Sequence, residues 1–161
     1  MKTNLLIILI TFFLYNLTIA QDSIPKANAE IVKYVSTVIG KKVDRGECWD
    51  IANQALTRIN ATWDKKFVYG KLLDPKTDVV YPGDIIQFKN VMLEYALPDG
   101  SGKAQETMKQ HTAIVYRVIA KGQYELAHQN TGFSGRKMGL STINLKDLKK
   151  GKIFIYRPVV E

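Results

Sequence analysis

Arg45-Gly46-Glu47-Cys48-Trp49-Asp50-Ile51-Ala52 holds the only cysteine of this 161-residue chain, and it opens a helical pattern. Cys48, Ile51, Ala52, Ala55, Leu56 and Ile59 recur at helical spacing and make one continuous apolar stripe. Asp44 followed three residues later by Glu47 reads as a capping box, which would start the helix just before the cysteine. A lone cysteine makes no internal disulfide. At a helix N-terminus, backbone N–H groups and the helix dipole favour the thiolate, so the position suits a nucleophile. A small free cysteine is also a common core residue, so the rest of the chain has to decide between the two.

Upstream, Met1 to Ala20 has the form of a secretory signal. Lys2 gives the positive start, Leu5 to Leu14 the apolar run, and Thr18 and Ala20 the small residues before a cleavage point. That run is too short for a comfortable membrane span. The expected organisation is therefore a signal peptide over 1–20 and one domain over 21–161. A secreted, periplasmic or cell-envelope location follows. Residues 21–161 hold 22 basic and 15 acidic residues, net +7. A basic exported protein adheres to anionic surfaces. The charge is nevertheless spread along the chain. Only Lys146, Lys149, Lys150 and Lys152 cluster, as a solvated face would, and no nucleic-acid motif is present.

A first amphipathic helix is expected near 27–39, from Ile31, Tyr34, Val35 and Val38, with Gly40 as its stop. Asn60-Ala61-Thr62 forms a glycosylation sequon, which matters only in a eukaryotic host. Residues 63–81 read as loop with at most one short strand. Tyr81-Pro82-Gly83-Asp84 is a turn leading into a short apolar strand, Ile85 to Phe88. Residues 89–110, with Pro98-Asp99-Gly100-Ser101-Gly102, read as an insertion loop. His111 to Ile119 is a strand, Ala120 to Gln123 a turn, and Tyr124 to Asn130 the return strand. A loop follows over 131–139, and Asn144 caps a short turn. Ile153 to Tyr156 is the last strand. Helices first and antiparallel strands after them predict an α+β fold, with N-terminal helices packed on a small antiparallel sheet or half-barrel.

Both histidines lie on one hairpin. With Lys121-Gly122 as its turn, Ala113 faces Asn130 and Val115 faces His128, which makes His111 and Asn130 diagonal neighbours on one face. A thiol, an imidazole and a polar orienting group are the parts of nucleophilic acyl transfer, with the N–H groups around Cys48 available for an oxyanion. One cysteine and two histidines could also bind zinc, but the ligand spacings of zinc motifs are missing. No metal or other cofactor is expected.

Gly46 to Ala52, Pro82 to Phe88, His111 to Val115 and His128-Gln129-Asn130, in that order, resemble the CHAP type of cysteine, histidine-dependent amidohydrolases/peptidases. These belong with the NlpC-type enzymes of the papain-like group. The same residues are similar to the cysteine-proteinase-fold domain at the end of some fungal actin-patch proteins. The resemblance runs from about residue 30 to Pro158. It implies a papain-like fold, Cys48 as nucleophile, His111 as base and Asn130 as the group orienting it. His128 falls where many CHAP members carry glutamate, so it either contributes in that place or leaves activity reduced. The implied substrate is a peptide or amide, with cell-wall peptides among the candidates, acted on by a monomer. A transferase using the same thioester, and a papain-like binding module without catalysis, are the alternatives.

Overall fold

The computed structural model describes residues 23–160. The expected signal segment lies outside them. Two helices precede the sheet: α1, Lys26–Val38, and α2, Asp50–Arg58. Eight strands follow: β1 Ala61–Thr62, β2 Lys71–Leu73, β3 Ile85–Ala96, β4 Lys103–Ala120, β5 Gln123–His128, β6 Gly139–Asn144, β7 Leu148–Arg157 and β8 Val159–Val160. β1 pairs with β8, and the other six form an antiparallel sheet in the order β2-β7-β3-β4-β5-β6. The expected α+β architecture is therefore present.

Both faces of the sheet are covered. Ile31 and Val35 of α1 and Ile51, Ala55 and Leu56 of α2 pack on Ile85, Ile114, Ala127 and Tyr156. On the other face the sheet curls over its own cluster, which includes Ile86, Phe88, Ala113, Val115, Tyr124, Leu126 and Ile143. Alternation along β4 sends Ile114 to the helices and Ala113 and Val115 into the curl. The same period puts His111 on the curled face.

Three expectations need correction. Residues 89–110 are not an insertion loop. They are the outer arms of a long β3–β4 hairpin in continuous register from Ile85↔Ile114 to Ala96↔Lys103, closed by Leu97–Gly102. Most of these residues are exposed, so the apolar alternation that marks a half-buried strand is confined to Val91 and Leu93. Second, β6 occupies part of a stretch with no expected strand, and it pairs with β5 from Gln123↔Asn144 to His128↔Gly139. Third, α2 begins at Asp50, not at Cys48, and its N-cap, Trp49, makes no side-chain capping bond, so the expected capping box is not formed. The Asp50 carboxylate, fully buried, accepts the Glu47 N–H at 2.9 Å and an Arg45 guanidinium N–H at 3.0 Å.

The Pro-Gly-Asp turn is structural. Buried Asp84 accepts from Arg157 Nε at 3.1 Å and Nη2 at 2.8 Å, from Asn28 Nδ2 at 2.7 Å and from the Tyr81 N–H at 2.8 Å. Gly83 sits at φ +90°, and a Cβ there would lie 2.5 Å from the Asn28 carbonyl oxygen. Only glycine allows α1 this close to the turn.

Candidate active site

Cys48 lies in the turn before α2 and is partly exposed. Its sulfur takes a backbone N–H from Thr112, the residue after His111. Val115 N–H points to the Asp84 carbonyl on the β3 side. Thr112 is three residues away, so its N–H points to the opposite edge of β4. The thiol therefore meets the sheet at that edge, where β5 has just ended at His128.

The expected hairpin register is corrected by two bulges. Near the turn Ala120 pairs with Gln123 as expected, but Val118 pairs with Tyr124 and Val115 with Leu126. Tyr116 and Ile119 are the extra residues on β4. Each bulge shifts the register by one, so together they move it by two and keep the faces unchanged. The diagonal neighbour of His111 becomes His128 in place of Asn130. His111 Nε2 and His128 Nδ1 are 2.8 Å apart, and the rings meet edge to face with centroids at 5.1 Å. His128 Nε2 is 2.8 Å from Ser141 Oγ on β6. Phe88 and Phe133 flank the two rings at 6.0 and 5.4 Å. His111 is thus engaged through Nε2.

Asn130 does not orient His111. It adopts φ +61°, is exposed, and donates through Nδ2 to Glu47 Oε2 at 3.0 Å. The side chain hydrogen-bonded to His111 is that of His128. The four candidate residues thus separate. His111 and His128 are hydrogen-bonded to each other at the end of β5, the Cys48 sulfur takes the N–H of the neighbouring Thr112, and Asn130 ties the loop carrying the thiol.

Several contributors carry no advance signal in the sequence. Gln129 alternates to the face opposite His128 and is fully buried. Its Oε1 accepts the Val43 N–H at 3.0 Å, and its Nε2 donates to the carbonyls of Val43 at 2.9 Å and Glu47 at 2.8 Å. This clamp sets the approach of Cys48. Thr112 Oγ1 lies 2.9 Å from Tyr69 Oη and 2.7 Å from Gln87 Oε1, all buried. Tyr69 stacks on Trp63 at 5.4 Å, and Trp63 meets Trp49 at 6.4 Å, which makes an aromatic row beside the thiol.

Burial pushes the Cys48 thiol up, against the Thr112, Trp49 and Cys48 N–H groups that favour the thiolate. Burial likewise holds His111 down at about 4. His128 lies at about 3, through burial and then the neighbouring His111. At neutral pH the resting pair is thiol and imidazole. The thiolate expected from the helix dipole is outweighed by desolvation. Among the described residues no group of three His, Cys, Asp or Glu side chains could hold a metal ion. A groove of about 700 Å³ between α1 and the end of α2, lined by Lys26, Tyr34, Arg58 and Ile59, contains none of these residues. The site is identified by its chemistry and not by cavity size.

Residues 21–161 match the AIM3/BBC1 cysteine proteinase-fold domain, and the chain belongs to this family. No curated protein matches it. Two solved structures share the fold. "The crystal structure of Ly7917" superposes with a TM-score of 0.51 at 14% identity, covering 81% of this chain and 62% of that one. "The crystal structure of Ly7917 with the hydrolyzing product of MDP" gives 0.51 at 15%, covering 81% and 63%. The chain thus spans less than two thirds of those structures. The expected papain-like fold is the one present.

Proposed function

From this family and this geometry we propose that the domain is a cysteine hydrolase of peptide or amide bonds. Cys48 is the nucleophile, His111 the base and His128 the residue that orients it. The supporting observation is the bond of 2.8 Å between His111 and His128, with His111 next in sequence to Thr112, whose N–H the Cys48 sulfur takes. Ser141 fixes the second nitrogen of His128, so His128 can take the tautomer that leaves Nδ1 of His111 free to accept the thiol proton.

Because neither partner is charged at rest, the proton leaves the thiol as the sulfur attacks the carbonyl, not beforehand. The new S–C bond gives a tetrahedral oxyanion, which the N–H groups around Cys48 can stabilise. Collapse expels the amine, protonated by His111, and leaves a thioester that water hydrolyses. If an acceptor amine replaced water, the same steps would transfer the acyl group.

The reading includes export by the 1–20 segment, action as a monomer outside the cell or in its envelope, and a cell-wall peptide as the first substrate to screen. The net charge suits an anionic wall. One Ly7917 structure is described with the hydrolyzing product of MDP, which makes MDP and cell-wall peptides the opening set. The test is release of amine from such peptides by the wild type, Cys48→Ala and His111→Ala, with folding followed by circular dichroism. Loss of turnover in both folded variants is expected. Turnover retained in either refutes the assignment.

The second reading is a binding module on the same fold. Its specific support is the neutral pair, with thiol raised and imidazole lowered. A folded wild type with no turnover and a Cys48 that alkylates no faster than in His111→Ala would establish it.

A further inference from the structure

β4 is an edge strand for half of its length. β3 pairs with it from Ile114 to Lys103, but β5 covers the other side only from Ala120 to Ile114. The Cys48 turn takes over at Thr112. Along residues 103–110 no described strand or backbone hydrogen bond occupies the second side. Eight residues make an edge of about 27 Å at ~3.4 Å per residue. They hold no proline or glycine, are largely exposed, and run straight into His111. The arm is held in place from the β3 side, because Glu94 accepts from Lys103 Nζ at 3.0 Å and from Gln105 Nε2 at 3.3 Å.

We propose that this edge is the substrate-binding element: an extended peptide adds to β4 along residues 103–110, in line with β5, and so brings one of its carbonyls to Cys48. The proposal rests on the hydrolase reading and gives it a substrate class, an unfolded peptide strand in place of a compact amide. Strand addition supplies main-chain affinity with little side-chain demand. The line is set by the fold. A chain placed on this edge occupies the track β5 leaves at His128, and that track ends at the sulfur. Lys103, Glu106 and Lys109 alternate in charge along the edge. Such charges disfavour pairing with a second copy of the same strand, as edge lysines commonly do.

The test uses the full chain with two alkylating probes, chloroacetone and acetyl-tetra-alanyl chloromethyl ketone, and locates the adduct by peptide mass mapping. A peptide advantage of tenfold or more in the Cys48 rate is expected. Two further probes, N-methylated at one or the other set of alternate amides, should differ. One loses the advantage and the other keeps it, because only alternate N–H groups face the partner strand. Equal rates for peptide and chloroacetone, or equal effects of the two methylation patterns, overturn the edge while leaving an activated thiol in place. A Cys48 that chloroacetone labels no faster in the wild type than in His111→Ala removes the hydrolase reading and the proposal together. Amide exchange of the free protein closes the remaining route. Rapid exchange over part of 103–110 is expected, and full protection would mean a second copy covers the edge, which also overturns the proposal.

Discussion

Replacing His128 by glutamate should raise the basicity of His111, and the size of the effect follows from the geometry. Burial keeps His111 at about 4 against an ordinary 6.5, which at ~1.4 kcal/mol per pKa unit disfavours imidazolium by about 3 kcal/mol. His128 Nδ1 stands 2.8 Å from His111 Nε2, within reach of a glutamate carboxylate in its place. Opposite charges about 4 Å apart at an effective dielectric of ~20 attract by about 4 kcal/mol. Part of that is lost in burying the carboxylate, so His111 should return to roughly 6, near its unperturbed value. The neutral control is His128→Gln, which should leave His111 low. In either variant His111 is the only histidine in the chain, so its ring protons titrate without overlap by NMR. Iodoacetamide alkylation of Cys48 should then speed up near pH 7 in His128→Glu alone. If the two variants titrate alike, the His111–His128 contact does not control the base and the assignment of His128 is wrong.

Acid should weaken the fold through both histidines. Each is held neutral in the native state, His111 down at about 4 and His128 at about 3, so the unfolded chain takes up more protons as pH falls below 6.5. Stability is thus full above 6.5 and declines towards 4 and 3. Between pH 7.5 and 5.5 the loss should be roughly 3 kcal/mol for the pair. Urea melts at the two pH values check this, and a constant midpoint contradicts it. Arg157→Met leaves the Asp84 carboxylate buried with its cation removed and should cost about 3–5 kcal/mol, read from thermal unfolding. A cost below about 1 kcal/mol, ordinary for a surface pair, would mean the bridge is not a structural one. Gln129→Leu keeps the volume but deprives Val43 and Glu47 of three hydrogen bonds. About 2–4 kcal/mol of stability should go, together with the His111-dependence of Cys48 alkylation. Unchanged stability and reactivity would show the clamp to be dispensable.

The sequence makes the large periodic features legible and hides the ones set by exposure or by bulges. The apolar stripe from Ile51 to Ile59 and the β-branched run after His111 announce a helix and a strand because each buries a face. The outer hairpin arms bury only Val91 and Leu93, so apart from that short alternation Lys89 to Gln110 carry little period to read. Cys48, His111 and His128 are legible as chemistry by their rarity and order. The role of Asn130 is not, because it depends on how many residues β4 spends between the turn and His111. Gln129 gives no local hint: its partners, Val43 and Glu47, lie more than eighty positions away.

The two bulges carry more of the site than any single side chain. With no bulge, Val115 would face His128, and Asn130 would be the diagonal neighbour of His111. With one, every residue of β5 would exchange faces. His128 would turn to the helices, and Gln129, a neutral amide unable to take a proton, would enter the curled face beside His111. The loop clamp would be lost in the same movement, since Gln129 could no longer reach Val43. Two bulges, with Tyr116 and Ile119 as the extra residues, restore the parity while carrying each β5 residue two positions further along β4. His128 thereby lies one step beyond the Ile114↔Ala127 pair, at the end of β5 and next to Thr112, whose N–H the Cys48 turn takes. The same register shift therefore pairs the histidines and keeps Gln129 on the face where it holds the thiol loop, while the edge of β4 beyond Thr112 stays open to a peptide.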